Sequence, residues 1–214
     1  MNYTALIVAG GQGLRMGLGY NKVFYPLSEG KTVLDTTLQI FLDDSKCKQI
    51  VIVTNQADLQ KIVSNYEAGR IVNVGGGPTR QESVFNGLMA VKEEVVLIHD
   101  AVRPWCSQEK IQELLSAMET EQAAILGVHV KDTIKEVENG YITRTLDRKT
   151  LVHAQTPQAF HTRLLLKCHH QAQDENYHAT DDAQIVEKYG QDVRVKLVEG
   201  SYKNVKITTI EDIK

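Results

Sequence analysis

The feature that most constrains the fold is a glycine-rich segment that directly follows a short apolar run. The run, Ala5–Val8, has the β-branched character of a strand buried on both faces, and glycines follow it at positions 10, 11, 13 and 17. Glycine permits a sharp turn and lets a phosphate approach the backbone N–H groups. The pattern predicts a parallel strand whose carboxyl end opens into a phosphate-binding loop, since open α/β sheets bind ligands at that edge.

Two cations, Arg15 and Lys22, accompany this loop and could neutralise a bound anion. The loop differs from two better-known phosphate motifs. The third glycine of a dinucleotide fingerprint would fall on Met16, and Tyr25 stands where a P-loop ending at Gly30–Thr32 needs its first glycine. An ordinary strand-to-helix turn carrying two solvated cations is the alternative interpretation of this segment alone.

Composition limits the class of protein. With 214 residues and 42% hydrophobic content, residues 1–214 are long enough for a single domain with a sizeable core. The net charge of -3 provides no basic field for nucleic acid. Three widely spaced cysteines without a C-x-x-C pair argue against a disulfide framework or zinc site. Because no signal peptide and no apolar run of about 20 residues is seen, we expect a cytoplasmic protein without membrane contact.

Short apolar runs alternate with helical stripes along the chain. Further strands are predicted at Ile50–Val53, Ile71–Val74, Val95–Ile98 and Ala124–Val128, and helices at 33–42 and 111–118. This order predicts a three-layer, Rossmann-like α/β fold with a mostly parallel twisted sheet. Towards the C-terminus, the pattern predicts a helix over Asp181–Tyr189 closed by Gly190, a strand over Val193–Val198 and a Thr208/Glu211 capping box.

The pattern changes at 131–150, where alternating residues flank Asn139-Gly140, a dipeptide typical of a type I′ hairpin turn. The segment predicts a protruding β-arm. An isolated two-stranded hairpin is only marginally stable in water, so we expect it to pack on a second subunit in a homodimer. The alternative is an arm folded back on its own domain.

Two further polar clusters follow predicted strands. Gly75–Ser83 opens a helix and could bind an anion or a nucleobase edge, although Thr79 and Ser83 could serve only as helix caps. In the second cluster, Asp100 lies at the same sheet edge. A carboxylate near phosphates suggests Mg²⁺, which takes one or two carboxylates plus phosphate oxygens, and the alternative is a simple ion pair with Arg103.

Other polar groups lie at element boundaries in the second half of the chain. They are Thr133, Arg148, Gln155–Phe160, Thr180–Ala183 and Asn204–Thr208. Each could also be a cap, turn or solvated face. Adjacent His169 and His170 point about 100° apart on a helix. We therefore expect two surface histidines whose hydrogen-bonding needs are met, and no metal site.

From Ala5 to Ile213 the chain resembles the 2-C-methyl-D-erythritol 4-phosphate cytidylyltransferase family, and the resemblance rests on seven ordered motifs. They are Ala9–Gly17 (Ala-Gly-Gly-x-Gly-x-Arg-Met-Gly), His99–Pro104, Asp132–Lys135, Leu146–Arg148, Gln155–Phe160, Thr180–Ala183 and Asn204–Thr208. The resemblance implies a nucleotidyltransferase fold and CMP transfer from CTP to the acceptor phosphate, with release of pyrophosphate. It also implies Mg²⁺ and a homodimer whose arm enters the partner's site.

The resemblance implies roles for individual residues. Arg15, Lys22, Arg148 and Lys206 would be catalytic, with Arg15 and Lys22 stabilising the transition state and the other two positioning the acceptor phosphate. The nucleotide would be held by Val8, Ala9, Gly10, Gly11, Gly13, Gly76, Gly77, Thr79, Arg80 and Ser83. The acceptor would contact Arg103, Thr133, Thr156 and Thr180, and Asp100 would lie near the metal.

The chain departs from the family pattern beside the catalytic lysine and in the second glycine loop. Asn21-Lys22-Val23 replaces the usual Pro-Lys-Gln, and Pro78 stands where a carboxylate is common, so cytosine must be read by Gly77, Thr79 or Ser83. Two other functions remain open at this point. A ribitol-5-phosphate cytidylyltransferase shares the scaffold, and a nucleotide-binding regulatory module without catalysis would share the site.

Overall fold

A seven-stranded sheet forms the centre of the fold, and its strands are the apolar runs of the sequence. The computed structural model describes residues 1–11, 16–28, 30–66 and 69–213. The strands are β1 (Tyr3–Val8), β2 (Pro26–Ser28), β3 (Lys31–Thr32), β4 (Cys47–Thr54), β5 (Ile71–Gly75), β6 (Val95–Asp100), β7 (Ala123–His129), β8 (Lys135–Glu138), β9 (Tyr141–Thr145), β10 (Val152–His161) and β11 (Lys196–Glu199). The helices are α1 (Val33–Leu42), α2 (Gln56–Tyr66), α3 (Arg80–Leu88), α4 (Gln108–Ala117), α5 (Thr162–Asp174) and α6 (Asp182–Tyr189).

The strand order of the central sheet is β11-β7-β10-β6-β1-β4-β5. Only β10 runs antiparallel to its neighbours among these seven strands, so the predicted mostly parallel sheet is confirmed. Val8 pairs with Val53 of β4 and with Asp100 of β6. This register brings the carboxyl ends of the three strands level, and the loops that follow them meet at one edge of the sheet.

Helices cover both faces of the sheet and confirm the three-layer prediction. Alternate residues of a strand point to opposite faces. Ile7 of β1 therefore joins one buried cluster with side chains of α1, α2 and α4. Leu6, its neighbour, joins a second cluster with side chains of α3, α5 and α6. Within the described residues, no helix has the length and apolar character required to cross a bilayer.

The predicted hairpin is present as a separate two-stranded sheet of β8 and β9. Asn139 and Gly140 have φ angles of 50° and 84°, the left-handed values that a type I′ turn requires. Three apolar side chains of this arm are exposed, namely Val137 (60%), Tyr141 (79%) and Ile142 (65%). In the described parts of the chain, no strand of the central sheet pairs with the arm.

Two predictions near the C-terminus are wrong in detail. The last strand begins at Lys196, not Val193, because its partner β7 starts at Ala123 and leaves residues 193 and 194 nothing to pair with. The capping box lies one residue later than predicted, since the Asp212 carboxylate accepts hydrogen bonds from the backbone N–H groups of Thr208 (2.7 Å) and Thr209 (2.8 Å).

Candidate active site

A cavity of about 510 Å³ lies at the sheet edge where β1, β5 and β6 end. Its lining consists of Val8, Ala9, Gly10, Gly11, Asn21, Lys22, Val23, Gly77, Pro78, Thr79, Arg80, Ser83, Asp100, Val102 and Lys206. The structure thus brings together most of the predicted nucleotide-binding residues with Lys22, Lys206 and Asp100. Gly13 and Arg15 lie outside the described residues.

Asp100 is the buried anion of this cavity and is surrounded by cations. Its carboxylate lies 2.8 Å from Lys206 Nζ, 3.6 Å from Arg80 Nε and 3.7 Å from Arg103 Nε. Burial alone would raise the pKa of Asp100, but the charges of Arg80, Lys206 and Arg103 hold that pKa well below its ordinary value. Asp100 is therefore ionised at neutral pH. The ion pair with Arg103, which the sequence offered as the alternative to a metal site, is one of three ion pairs that Asp100 makes.

Lys22 is held beside the cavity by the C-terminal segment 204–208. Its Nζ donates to the Ile207 carbonyl (2.7 Å), and the Ile207 N–H donates to the Val102 carbonyl (2.9 Å). A hydrogen bond also holds the start of this segment, since the Arg103 guanidinium donates to the Asn204 carbonyl (2.8 Å). Lys206, on the same segment, reaches Asp100. The segment 204–208 therefore positions both catalytic candidates: it carries Lys206, and its Ile207 carbonyl holds Lys22.

The second glycine loop depends on close packing that only glycine allows. A Cβ on Gly76 would lie 2.7 Å from Ser83 Oγ, and one on Gly77 would lie 2.5 Å from the Glu82 Cβ. The Gly77 N–H donates to Ser83 Oγ (3.1 Å) and the Thr79 N–H to the Glu82 carboxylate (2.8 Å). These amides are thus engaged within the loop, and α3 begins with a capping box between Thr79 and Glu82.

Thr156 lies behind Asp100 and does not line the cavity. Its Oγ1 accepts the Asp100 N–H (3.0 Å) and lies 3.1 Å from Nδ1 of the buried His99. Its carbonyl accepts from Asn204 Nδ2 (2.8 Å), which links β10 to the C-terminal segment. Gly76 also lies just behind the wall, where its N–H donates to the Thr54 carbonyl.

The remaining predicted acceptor contacts lie apart from the cavity. Thr133 and Arg148 are exposed at the base of the arm, where Arg148 Nη1 donates to the Lys131 carbonyl (2.6 Å). Thr180 is exposed and donates to Gln184 Oε1 (3.1 Å). The arm residues Thr133 and Arg148 do not enter the cavity of their own chain.

The predicted surface position of His169 is wrong. The side chain is fully buried, and its Nε2 lies 3.5 Å from Oδ1 of the buried Asp182. Asp182 in turn accepts a hydrogen bond from Arg80 Nη1 (2.8 Å), so a buried carboxylate anchors a cation of the cavity wall. The hydrophobic stripe of α5, which includes Leu165 and Cys168, places position 169 on the inner face and could have revealed its burial.

Sequence reasoning also missed the role of Asn21. Its amide contacts Ala9 and Asp58, whereas the sequence marked it only as a departure from a family pattern. No local signal points to Asp58, since the contact joins residues 37 positions apart.

Comparison with known proteins agrees with the geometry. A model of the 2-C-methyl-D-erythritol 4-phosphate cytidylyltransferase family matches residues 3–214. A protein of that name from Geobacillus thermodenitrificans (strain NG80-2) is 43% identical over 218 residues, covering 100% of this chain and 94% of the relative.

Solved structures of similar proteins have the same fold. The 4-diphosphocytidyl-2C-methyl-D-erythritol synthase of Anaerococcus prevotii DSM 20548 matches with a TM-score of 0.85 and 35% identity, covering 99% of this chain and 92% of that one. The 2-C-methyl-D-erythritol 4-phosphate cytidylyltransferase of Francisella tularensis matches with a TM-score of 0.85 and 33% identity, covering 100% and 97%. The chain therefore belongs to the 2-C-methyl-D-erythritol 4-phosphate cytidylyltransferase family and is a nucleotidyltransferase.

Proposed function

We propose that the cavity binds CTP and that the protein transfers its cytidylyl group to 2-C-methyl-D-erythritol 4-phosphate, with release of pyrophosphate. One observation carries the proposal: Lys22, Lys206 and Arg80 line the same cavity as two glycine loops. Family membership supports the choice of both substrates.

The proposed reaction is an in-line displacement at the α-phosphorus of CTP. An oxygen of the acceptor's phosphate forms the new P–O bond, and the bond from the α-phosphorus to the bridging oxygen of pyrophosphate breaks. The nucleophile is already an anion, so no general base is required. Catalysis then consists of positioning and charge stabilisation, for which Lys22 and, outside the described residues, Arg15 are the candidates.

The donor set around Asp100 fits a Mg²⁺ ion that arrives with the triphosphate, and does not fit an ion held by protein alone. Mg²⁺ at such sites takes one or two carboxylates plus substrate phosphates. Asp100 supplies one carboxylate, and within the described ranges no group of three or more His, Cys, Asp or Glu is placed to hold a metal. When bound, Mg²⁺ would neutralise phosphate charge. Lys206, whose Nζ lies 2.8 Å from the Asp100 carboxylate, would contact the anionic substrate.

We further propose a homodimer in which the arm carries Thr133 and Arg148 to the partner's cavity. The arm's exposed Val137, Tyr141 and Ile142 support this arrangement, because such side chains are normally covered. The acceptor phosphate would then meet Arg148 of one chain and Lys206 of the other. Arg103 and Thr156 would support the acceptor site through Asp100, which both of them contact. Thr180 stays a predicted acceptor contact.

We also propose a single catalytic domain over 1–214 that works in the cytoplasm. The thiols of Cys47, Cys106 and Cys168 are free and buried, which suits a reducing compartment.

A coupled pyrophosphate assay tests the function. Four nucleoside triphosphates are each combined with 2-C-methyl-D-erythritol 4-phosphate or ribitol 5-phosphate in the presence of Mg²⁺. Pyrophosphate release only with CTP and the erythritol acceptor is expected. Preference for ribitol 5-phosphate would replace the proposed acceptor. Tight CTP binding without pyrophosphate release from either acceptor would instead indicate a regulatory module.

A further inference from the structure

The buried side chain of Asn21 connects three segments around the cavity. It is 5% exposed, and its Nδ2 donates to the Ala9 carbonyl (2.7 Å) and to the Asp58 carboxylate (2.9 Å). Its Oδ1 accepts the N–H of Val23 (3.2 Å) and so caps the short 3₁₀ turn Lys22–Phe24. One amide therefore joins the end of β1, the first turn of α2 and the turn that carries Lys22.

Asp58 also holds a second amide against the glycine loop. Its Oδ2 accepts from Asn55 Nδ2 (2.7 Å), and the same Nδ2 lies 3.4 Å from the Gly10 carbonyl. The loop packs tightly here, since a Cβ on Gly10 would lie 3.3 Å from the Asn55 backbone nitrogen. The carbonyls of two successive peptide groups, at Ala9 and Gly10, thus face the same polar cluster.

This arrangement fixes the direction of two backbone donors. In a planar trans peptide the N–H points opposite to the C=O. The N–H groups of Gly10 and Gly11 therefore point away from Asn21 and Asn55. Within the described parts of the chain, neither N–H makes a hydrogen bond, and both glycines line the cavity. Such N–H groups are the donors that a phosphate uses.

We propose that Asn21, held by Asp58, is a positioning residue that sets Lys22 and the Gly10 and Gly11 amides in one fixed arrangement for the triphosphate. The inference rests on the proposed function, because it assigns these groups to CTP. Asn21 acts through Lys22 and the loop backbone and does not itself react.

The alternative is that the cluster contributes only to stability, and kinetics on matched variants separates the two. Asn21→Ala and Asp58→Ala should each lower kcat by about 10- to 100-fold, since small misplacements of reacting groups have such effects. Thr4→Val is the matched control, because it removes an equally buried hydrogen bond, Thr4 Oγ1 to Gln49 Oε1 (2.9 Å), near the opposite end of β1. It should lower stability and leave kcat unchanged.

A proline variant separates backbone placement from hydrogen bonding. Asn21 has φ of −65°, the angle that proline fixes, so Asn21→Pro should recover much of the kcat lost in Asn21→Ala. Adding Asp58→Ala to Asn21→Pro should then have far less effect than in the wild-type background. An equal loss of kcat in both backgrounds would show that Asp58 does not act through Asn21, and would overturn the proposal.

Hydrogen exchange provides a readout that does not require activity. The Asn21 amide links Asp58 to the N–H of Val23 in the turn Lys22–Phe24. Asp58→Ala should therefore speed amide exchange at Val23 and Phe24, whereas Thr4→Val should not. Unchanged exchange there would overturn the inference even if the wild-type protein released no pyrophosphate. Absence of pyrophosphate release from the wild-type protein would reject only the proposed function.

Discussion

Thr156 Oγ1 lies 3.1 Å from Nδ1 of His99, whose imidazole is fully buried. The other ring nitrogen, Nε2, lies 3.1 Å from the Arg103 carbonyl and must therefore carry the hydrogen. Nδ1 then accepts the hydroxyl hydrogen of Thr156, while the hydroxyl oxygen accepts the Asp100 N–H. The neutral ring is thus satisfied on both sides, directly behind the buried carboxylate of the cavity.

This network predicts a pH dependence of stability. Burial lowers the pKa of His99 to about 4. Between that value and about 6.5, the unfolded chain binds a proton that the folded chain does not, so stability rises with pH across this window. Acidification through it should remove up to about 3 kcal/mol from the free energy of unfolding.

Urea unfolding across this pH window measures the effect. His99→Gln should flatten the rise in stability, and His170→Gln, at an exposed neighbouring histidine, should not. Equal pH profiles for His99→Gln and the wild-type protein would contradict the assignment.

Loss of the Lys22 charge should reduce turnover strongly. Lys22→Ala should lower kcat by about 10²- to 10³-fold, as removal of other preorganised donors does. Lys48→Ala is a suitable control, because the exposed Lys48 also donates to a backbone carbonyl, that of Ser45 (2.7 Å), but far from the cavity. Steady-state pyrophosphate release is the measurement, and normal turnover by Lys22→Ala would disprove the role.

Removal of Asp182 should destabilise the fold. Its carboxylate is buried between Arg80 and His169, so Asp182→Ala leaves a cation without its nearest partner. Because Arg80 is 29% exposed and retains Asp100, we expect a loss of about 2 kcal/mol, less than for a fully buried pair. Chemical denaturation measures it. Asp174→Ala, at an exposed position in α5, should change stability little, and a similar loss there would mean that burial is not the cause.

A methyl group on Gly77 should disturb the second glycine loop. Its Cβ would lie 2.5 Å from the Glu82 Cβ, so Gly77→Ala forces α3 or the loop to move and should lower the free energy of unfolding by about 1–3 kcal/mol. Gly11→Ala is the control, because no atom of the described residues lies within 4 Å of its added Cβ. Thermal unfolding of both variants compares them, and equal effects would show that the close approach is unimportant.

If the arm forms a homodimer, a charge on its exposed apolar face should weaken association. Ile142 is 65% exposed in the single chain, and Ile142→Glu would bury an unpaired carboxylate at such an interface. Sedimentation velocity should show a shift from dimer to monomer, together with loss of activity if Arg148 serves the partner's cavity. Thr143→Glu adds the same charge to the same arm strand without removing an apolar side chain. An equal shift to monomer in that variant would mean that the added charge alone weakens the dimer. A wild-type monomer would reject the dimer.

Local sequence patterns determined most of the secondary structure. The apolar runs became β1, β4, β5, β6 and β7, because β-branched segments bounded by polar turns have few other ways to bury both faces. Asn139-Gly140 fixed the hairpin, since its left-handed turn depends on those two residues. The errors at Val193 and Thr208 arose where a pairing partner or a longer-range carboxylate decided the boundary.

The sequence by itself determined most of the strands and helices, the glycine loops and the family, because these depend on neighbouring residues and on ordered motifs. Only the tertiary structure decided which polar and charged side chains meet. Asp100 pairs with Lys206, Asn21 with Asp58, and Asp182 with both Arg80 and His169, across distances in sequence that no periodicity encodes. The physical reason is that the sheet register and the path of the C-terminal segment place these side chains within hydrogen-bonding or ion-pairing distance.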